Sequence, residues 1–239
     1  MKVLVFSDIH SNLTALEAVL NRERNIDAYW CLGDIVGYGP DPNECIERVR
    51  ALPNLICVRG NHDAATIGDV DQQTFNHEAG LAITWTKRNI NAKSKEYLLS
   101  LPEREQVNDI TLVHGSPRNP VWDYVMDFRT ALQMFTYFET RVCLLGHTHV
   151  PAIWQDSTKT SSGHVLDFYK KKILSKSILN PGAVGQPRDH NPQAAYAIFD
   201  PDEMTWELRR IDYPIEEVQA RIKKSGLPWR NALRLAEGW

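Results

Sequence analysis

The chain has 239 residues, 43% of them hydrophobic and 24% charged, with a formal net charge of −3. That apolar content supports a sizeable core and lies far from the composition of a disordered chain. The slightly acidic balance argues against dedicated polynucleotide binding, and no apolar run approaches the ~20 residues of a membrane span.

In chain order, "KVLVFSD" reads as a strand and not as a secretory leader, because polar residues follow the short apolar run at once. "LTALEAVLNR" repeats apolar residues at helical spacing (Leu13, Leu16, Val19, Leu20), with Asn12 placed to cap it. "AYWCLGD" is the next strand. "PNECIERVRAL" is a helix opened by Pro42 with Cys45, Ile46, Val49 and Leu52 on its inner face, and "LICVRGNHD" is a third strand. This alternation marks a parallel α/β sheet. Residues from about Gln72 to Leu101 read as long and helical, clearest in "HEAGLAITWTKRNI". "ITLVHG" and "RVCLLGHTH" are two more strands. After Pro151, "AIWQD" and "AAYAIFDPDEMTWELRRIDY" suggest antiparallel hairpins, whereas "SSGHVLDFYKKKILSKSIL" carries no clear period. A helical tail follows over about 213–239. No repeat or linker divides the chain, so one domain is expected over 1–239, an α/β half joined to a β-rich half, with a helical insert at about 64–108.

Cys31, Cys45, Cys57 and Cys143 form no CxxC pair, and three lie in apolar strand-like runs. They are expected to be buried, reduced thiols of a cytoplasmic protein.

The strand ends carry the chemistry. The first ends in Asp8-Ile9-His10, the second in Gly33-Asp34 and the third in Gly60-Asn61-His62-Asp63. Later strands end in His114-Gly115 and Gly146-His147-Thr148-His149. In an open parallel sheet the carboxyl ends of strands form the ligand crevice. Five segments therefore deliver Asp, Asn and His to one edge. Imidazole with carboxylate suits divalent Mn, Fe, Zn or Ni. Asp8, His10, Asp34, Asn61, His114, His147 and His149 exceed the needs of one ion and would serve two that share a carboxylate. In an extended segment residues i and i+2 project to the same side, so each of "DIH" and "HTH" would point both ligands into one cavity.

"SDIHSN", "GDIVGYGPDP", "GNHD", "HGSP" and "GHTHVP", in this order, resemble the motifs of the calcineurin-like metallophosphoesterase superfamily. "NPGAVGQPRD" is similar to a following segment in its compact bacterial and archaeal members, which are described as phosphodiesterases or diadenosine tetraphosphate hydrolase-like phosphatases. The resemblance runs from Met1 to about Asp189, and five ordered motifs are far more specific than any one. It implies a four-layer α/β/β/α sandwich of two mixed β-sheets flanked by helices. It also implies that Asp8, His10 and His149 hold one metal, that Asn61, His114 and His147 hold a second, and that Asp34 bridges them. His62 would face the substrate as general acid, and Asp63 would orient His62 or support the site. The expected reaction is in-line attack on phosphorus by a water that the two ions activate.

Arg188, in "GQPRD", could grip a second phosphate bidentately, and Tyr38 could line the substrate mouth. His77, His164 and His190 belong to none of the metal motifs: His77 reads as surface, His164 as solvated loop, and His190 as a residue that could edge the pocket. "KKK" at 170–172 reads as a solvated face. Trp85, Trp154 and Trp206 read as packing residues. The expected substrate is a small phosphodiester, dinucleoside polyphosphate or other nucleotide. Phosphomonoesters including phosphoproteins are the alternative, and a non-catalytic scaffold on the same fold is the rival class. An oligomer is compatible with the residues.

Overall fold

Alternation of side chains along the strands decides the layers. The computed structural model describes residues 1–156 and 170–239, with the backbone of His164–Val165. β1 (Val3–Phe6) sends Val3 and Val5 to one face and Leu4 and Phe6 to the other. Both faces are apolar, so the strand is covered on both sides. α1 (Leu13–Arg22) covers one face with Ala15, Leu16, Val19 and Leu20, and Asn12 Oδ1 caps it by accepting from Ala15 N at 3.1 Å. β2 (Ala28–Cys31), α2 (Pro42–Arg50) and β3 (Leu55–Cys57) repeat the unit, and the three strands pair in parallel.

The third strand is shorter than its sequence suggests. It ends at Cys57, and Asn61-His62-Asp63 open α3 (Asn61–Ile67) instead. The reason is local: the Asp63 carboxylate accepts from Gly60 N at 3.0 Å, which satisfies a free donor of the first turn. The long helical stretch is likewise broken, into a 3₁₀ turn (Gln72–Thr74), α4 (His77–Asn89) and α5 (Ala92–Ser100). Asn76 and Asn91 cap the two helices through their side chains, so each asparagine starts a new helix. The helical insert stops before 108, because Arg104–Val107 is strand β4, antiparallel to β5 (Ile110–Val113).

α6 (Phe128–Met134), which has no sequence signal beyond seven residues, precedes β6 (Val142–Leu144) and β7 (Ala152–Gln155). β8 (His164–Val165) pairs with β7, which places the His164 backbone in a strand, while the expectation for its side chain lies outside the described residues. β9 (Lys170–Lys172), β10 (Ser177–Asn180), β11 (Ala194–Asp200), β12 (Thr205–Ile211), α7 (Ile215–Ser225) and α8 (Trp229–Glu237) complete the chain. Among the described residues no helix is long and apolar enough to cross a membrane.

Two six-stranded mixed sheets result, in the orders β3-β2-β1-β11-β12-β9 and β4-β5-β6-β10-β7-β8. Val3, Val5, Trp30 and Phe199 of the first sheet meet Leu112, Leu144 and Leu179 of the second in a core between the sheets. The outer face of the first sheet packs on α1, α2, α4, α5, α7 and α8. The outer face of the second packs Cys143, Leu145, Trp154 and Ile178 on α6. This is the expected four-layer α/β/β/α sandwich. Trp154 and Trp206 are core residues, and the partly buried Trp85 donates its Nε1–H to Ser225 O at 2.9 Å. The lysines of β9 form an edge strand, where like charges discourage edge-to-edge pairing with another chain. All four cysteines are free and buried.

One buried ionic cluster ties both halves of the first sheet together. Glu23, just past α1, accepts from Tyr196 Oη at 2.8 Å, from Lys2 Nζ at 3.2 Å and from Arg209 at 2.6 and 2.7 Å. Burial alone would raise its pKa, yet these hydrogen bonds, Arg209 first, hold it below the ordinary 4.5. A depressed folded-state pKa stabilises fully above the unfolded value and is lost as pH falls through the folded one. Glu23→Gln is therefore expected to cost about 2 kcal/mol at neutral pH, with the gap to wild type closing below about pH 4. Urea unfolding at the two pH values checks this.

Candidate metal centre

The parallel strands of both sheets bring their carboxyl ends to one edge. β1 runs into Asp8 and His10, β2 into Asp34, β5 into His114, and β6 into His147 and His149, while α3 begins with Asn61 and His62. Each of the seven residues singled out as ligands is at most 3% exposed. Two carboxylates without solvent carry a large penalty unless positive charge meets them.

Alternation along an extended segment does not aim these side chains. β1 ends at Phe6 and β6 at Leu144, and the ligands leave the strands in the left-handed region: Asp8 at φ 55°, His10 at 48°, Asp34 at 54°, His147 at 66° and His149 at 61°. Such backbone costs of order 1–3 kcal/mol per residue and gathers at functional sites. Tight neighbours enforce the turns. A Cβ on Gly146 would strike Ser7 Oγ and sit 2.8 Å from Asp8 Oδ2. Gly37, at φ 108°, leaves room for the His62 ring, whose Nδ1 would lie 2.5 Å from an added Cβ.

Hydrogen bonds to the main chain settle which imidazole nitrogens are protonated. His10 Nδ1 donates to Val36 O at 3.1 Å, His114 Nδ1 to Leu32 O at 2.8 Å, His149 Nδ1 to Gln186 O at 2.5 Å, and His147 Nε2 to Trp122 O at 3.1 Å. In the neutral rings the remaining nitrogens carry lone pairs, and they face one another. His10 Nε2 is 3.1 Å from His149 Nε2, and His114 Nε2 is 3.1 Å from His147 Nδ1 and 3.0 Å from Asn61 Oδ1. Acceptors this close to acceptors need positive charge between them, supplied by a proton, as on His114, or by a metal ion in its place. The carboxylates agree. Asp8 Oδ2 takes the main-chain N–H of His147 at 3.1 Å and Asp34 Oδ1 that of His62 at 2.9 Å, while among the described residues Asp8 Oδ1 and Asp34 Oδ2 are buried without a hydrogen bond. Asp34 Oδ2 lies 3.6 Å from His10 Nε2 and 3.3 Å from His114 Nε2, so it faces both imidazole pairs. Ligand atoms come within metal-binding reach of one another in the groups Asp8–His10–His149 and Asp34–His114–His147. A donor set of this kind, with imidazoles oriented by carbonyls behind them, fits a divalent transition metal.

The electrostatics follow from burial against mutual charge. Burial would raise both aspartates, but His149 and His114 around Asp8, and His114, His62 and His10 around Asp34, outweigh it and hold both ionised. Burial lowers His10, His147 and His149, with His147 pushed to about 3. His114 moves the other way, to about 9, because the nearby charge of Asp34, helped by Asp8 and by the hydrogen bond to Leu32 O, exceeds the burial penalty.

The other predicted residues stand around this cluster. His62 is buried, packs 4.6 Å from the Tyr38 ring and 4.8 Å from the His10 ring, and burial lowers it to about 4. Its Nδ1 has no partner, and among the described residues no carbonyl fixes its ring, in contrast to the four anchored imidazoles. With His10 and Asp34 it makes a third group of suitable spacing. Among the described residues the Asp63 carboxylate makes no hydrogen bond to the His62 ring. That carboxylate accepts from Val36 N at 3.1 Å and from Gly60 N, so it ties the segment just past Asp34 to the start of α3. Burial and Asp34 raise it to about 6. Arg188 lines the cavity, bonded to Gln186 Oε1 at 3.1 Å and Tyr38 Oη at 3.4 Å. His77 is exposed at the start of α4, and His190 is exposed with its N–H on Gly238 O. Neither lines the cavity. Sequence reasoning passed over Phe75, Trp122 and Tyr124, which do line it. Their only signal is their aromatic character in polar loop segments.

Known proteins are similar to this chain in sequence and fold. Residues 1–204 match the calcineurin-like phosphoesterase superfamily domain. The crystal structure of a metallophosphoesterase from Sphaerobacter thermophilus superposes with a TM-score of 0.92 at 45% identity, covering 100% of this chain and 99% of that one. An uncharacterized protein of Methanocaldococcus jannaschii is 38% identical over 95% of this chain and 93% of its own length. Phosphodiesterase YfcE of Escherichia coli is 29% identical over 84% of this chain and 89% of its own. Lone pairs converging on two orphaned carboxylate oxygens, in a four-layer sandwich matched along nearly its whole length, place the chain in the calcineurin-like phosphoesterase superfamily.

Proposed function

We propose that the chain is a dinuclear metal-dependent hydrolase of phosphate esters or anhydrides, acting on small phosphodiesters or dinucleoside polyphosphates. The observation that carries this reading is the pair of opposed imidazole lone pairs with the Asp34 carboxylate between them. Asp8, His10 and His149 would hold one ion, Asn61, His114 and His147 the other, and Asp34 would be shared. When bound, two divalent ions supply positive charge for the phosphoryl oxygens and acidify an attacking water.

The protein's own groups do the rest. Arg188 and Tyr38 present donors to a non-reacting phosphate oxygen on the open side of the cavity. His62 donates a proton to the departing oxygen. Because its Nδ1 is sealed in, Nε2 is the donating atom. A ring held neutral by burial gains its proton when phosphate brings a negative charge beside it. Asp63 keeps Asp34 and His62 in register through the backbone. The free cysteines support a reducing compartment, and we place the enzyme in the cytoplasm.

A chromogenic aryl phosphodiester should turn over with added manganese or nickel and stop with chelator. Alongside it, panels of dinucleoside polyphosphates, phosphomonoesters and phosphopeptides separate the substrate classes. Faster turnover of phosphopeptides than of every diester would replace this reading with a phosphatase. No turnover with any divalent ion would leave a scaffold.

A further inference from the structure

The cavity above the metal cluster has a volume of about 260 Å³. One of its walls is aromatic. Phe75 arrives after the 3₁₀ turn that follows α3, and Trp122 and Tyr124 arrive on the loop after β5. The Phe75 ring stands edge-on to His62 at 5.0 Å, and Trp122 stands edge-on to Phe75 at 4.8 Å. Tyr124 lies flat against His147 at 3.8 Å with 26° between the planes. The three rings thus run from the proton donor to a metal-cluster imidazole.

Trp122 and Tyr124 belong to no core cluster, and Phe75 packs only at the margin of the outer one. Trp30, Trp206 and Phe199 fill the core between the sheets and are buried, whereas Phe75 and Trp122 are half-buried and Tyr124 is 47% exposed. Leaving apolar faces open on a polar cavity is a cost that a ligand would remove. The loop that carries two of them is held rigid. Ser116 Oγ accepts from the N–H groups of Arg118 and Asn119 and donates to Asp123, Arg118 pairs with Asp123 at 2.7 Å, and Trp122 O takes the His147 N–H. A preformed aromatic face loses little freedom on binding. Thr74 and Asn76 line the cavity beside it and offer polar atoms to the edge of a ring.

We propose that Phe75, Trp122 and Tyr124 form a stacking platform for a nucleobase, so that the substrates are nucleoside-bearing phosphodiesters or phosphoanhydrides with the nucleoside on the leaving side. The side is set by His62. It lies between Phe75 and Tyr38, so the oxygen it protonates begins at the aromatic wall. This inference rests on the proposed hydrolase. Water oxygen bonds to phosphorus, the bond from phosphorus to the leaving oxygen breaks, and that oxygen keeps the electron pair and takes the proton from His62. Arg188, which lines the same cavity beside Tyr38, meets the phosphate that stays. Base–aromatic stacking changes affinity by roughly 5- to 150-fold per base and tolerates different bases, because every base has a π face.

The test is calorimetric titration of the full-length, manganese-loaded protein with adenosine 5′-monophosphate and with ribose 5-phosphate, alone and after Trp122→Ala or Tyr124→Ala. The nucleotide should bind about tenfold or more tightly than the sugar phosphate. Each variant should close most of that gap while ribose 5-phosphate binding stays as in wild type. Tyr124 is half exposed, so its variant folds even if that of Trp122 does not. Equal binding of the two probes, or variants that weaken both equally, overturns the platform. Turnover of diesters without base preference also overturns it while leaving the hydrolase standing. Base-dependent binding with no turnover of any substrate supports the platform and removes the hydrolase.

Discussion

Asp34→Asn is expected to lower kcat/KM on any phosphodiester by a factor of roughly a thousand or more, with the fold intact. Asparagine keeps the shape and can still accept the His62 N–H, now at 2.9 Å from Asp34 Oδ1. What it removes is the charge that faces both imidazole pairs. A metal centre contributes several kcal/mol to charge stabilisation at phosphorus, and about 4 kcal/mol is a thousandfold in rate. The same substitution should show in metal content. In the metal-free wild type Asp34 keeps His114 protonated to about pH 9. A raised histidine pKa stabilises fully below the unfolded value of about 6.5 and is lost as pH rises through about 9. Metal must displace that proton, so uptake by the wild type should release acid at pH 7 and strengthen toward pH 9. In Asp34→Asn the proton release should vanish and bound metal should fall. Elemental analysis after dialysis, titration in two buffers of different ionisation enthalpy, and steady-state rates test the three parts. A variant with full metal content and activity within tenfold of wild type would remove Asp34 from the centre.

His62→Asn should give a loss that depends on the leaving group. A well-placed general acid contributes roughly 10²- to 10⁴-fold. That help matters where the departing oxygen is basic, as in an alkyl or nucleoside ester, and little where it is an activated phenol. The variant should therefore lose about 10²-fold or more on the former and less than about tenfold on the latter, with metal content unchanged. A uniform loss across leaving groups, together with reduced metal, would mark His62 as a ligand through its grouping with His10 and Asp34. Asp63→Asn serves as the contrast. Among the described residues its carboxylate bonds backbone N–H groups alone, so its loss should be alike for all leaving groups.

Much of the architecture was legible because local rules and the fold agree. Asn12 before an apolar helical stripe became a capped α1, and strand–helix alternation became the parallel half of the first sheet. Where the reading failed, a competing local bond won. Asp63 bonding Gly60 N turned "GNHD" from strand end into helix start, and Asn76 and Asn91 cut one long helix into shorter ones. β4 and α6, four and seven residues long, are too short for a period to declare itself.

The identity of the seven clustered donors could be read from the chain, because glycine-flanked Asp, Asn and His at successive strand ends have few other uses. Their aim could not. Asp8, His10, His147 and His149 point inward through left-handed backbone, a conformation enforced by contacts with distant segments and invisible in "DIH" or "HTH". Nor could the chain reveal which nitrogen of each imidazole faces the cluster, since Val36, Leu32, Gln186 and Trp122 supply the deciding carbonyls from elsewhere. Phe75, Trp122 and Tyr124 became neighbours only when two loops closed over the sheet edges. Residue chemistry is a local property written in order along the chain, whereas orientation and adjacency arise from long-range contacts that exist only once it has folded.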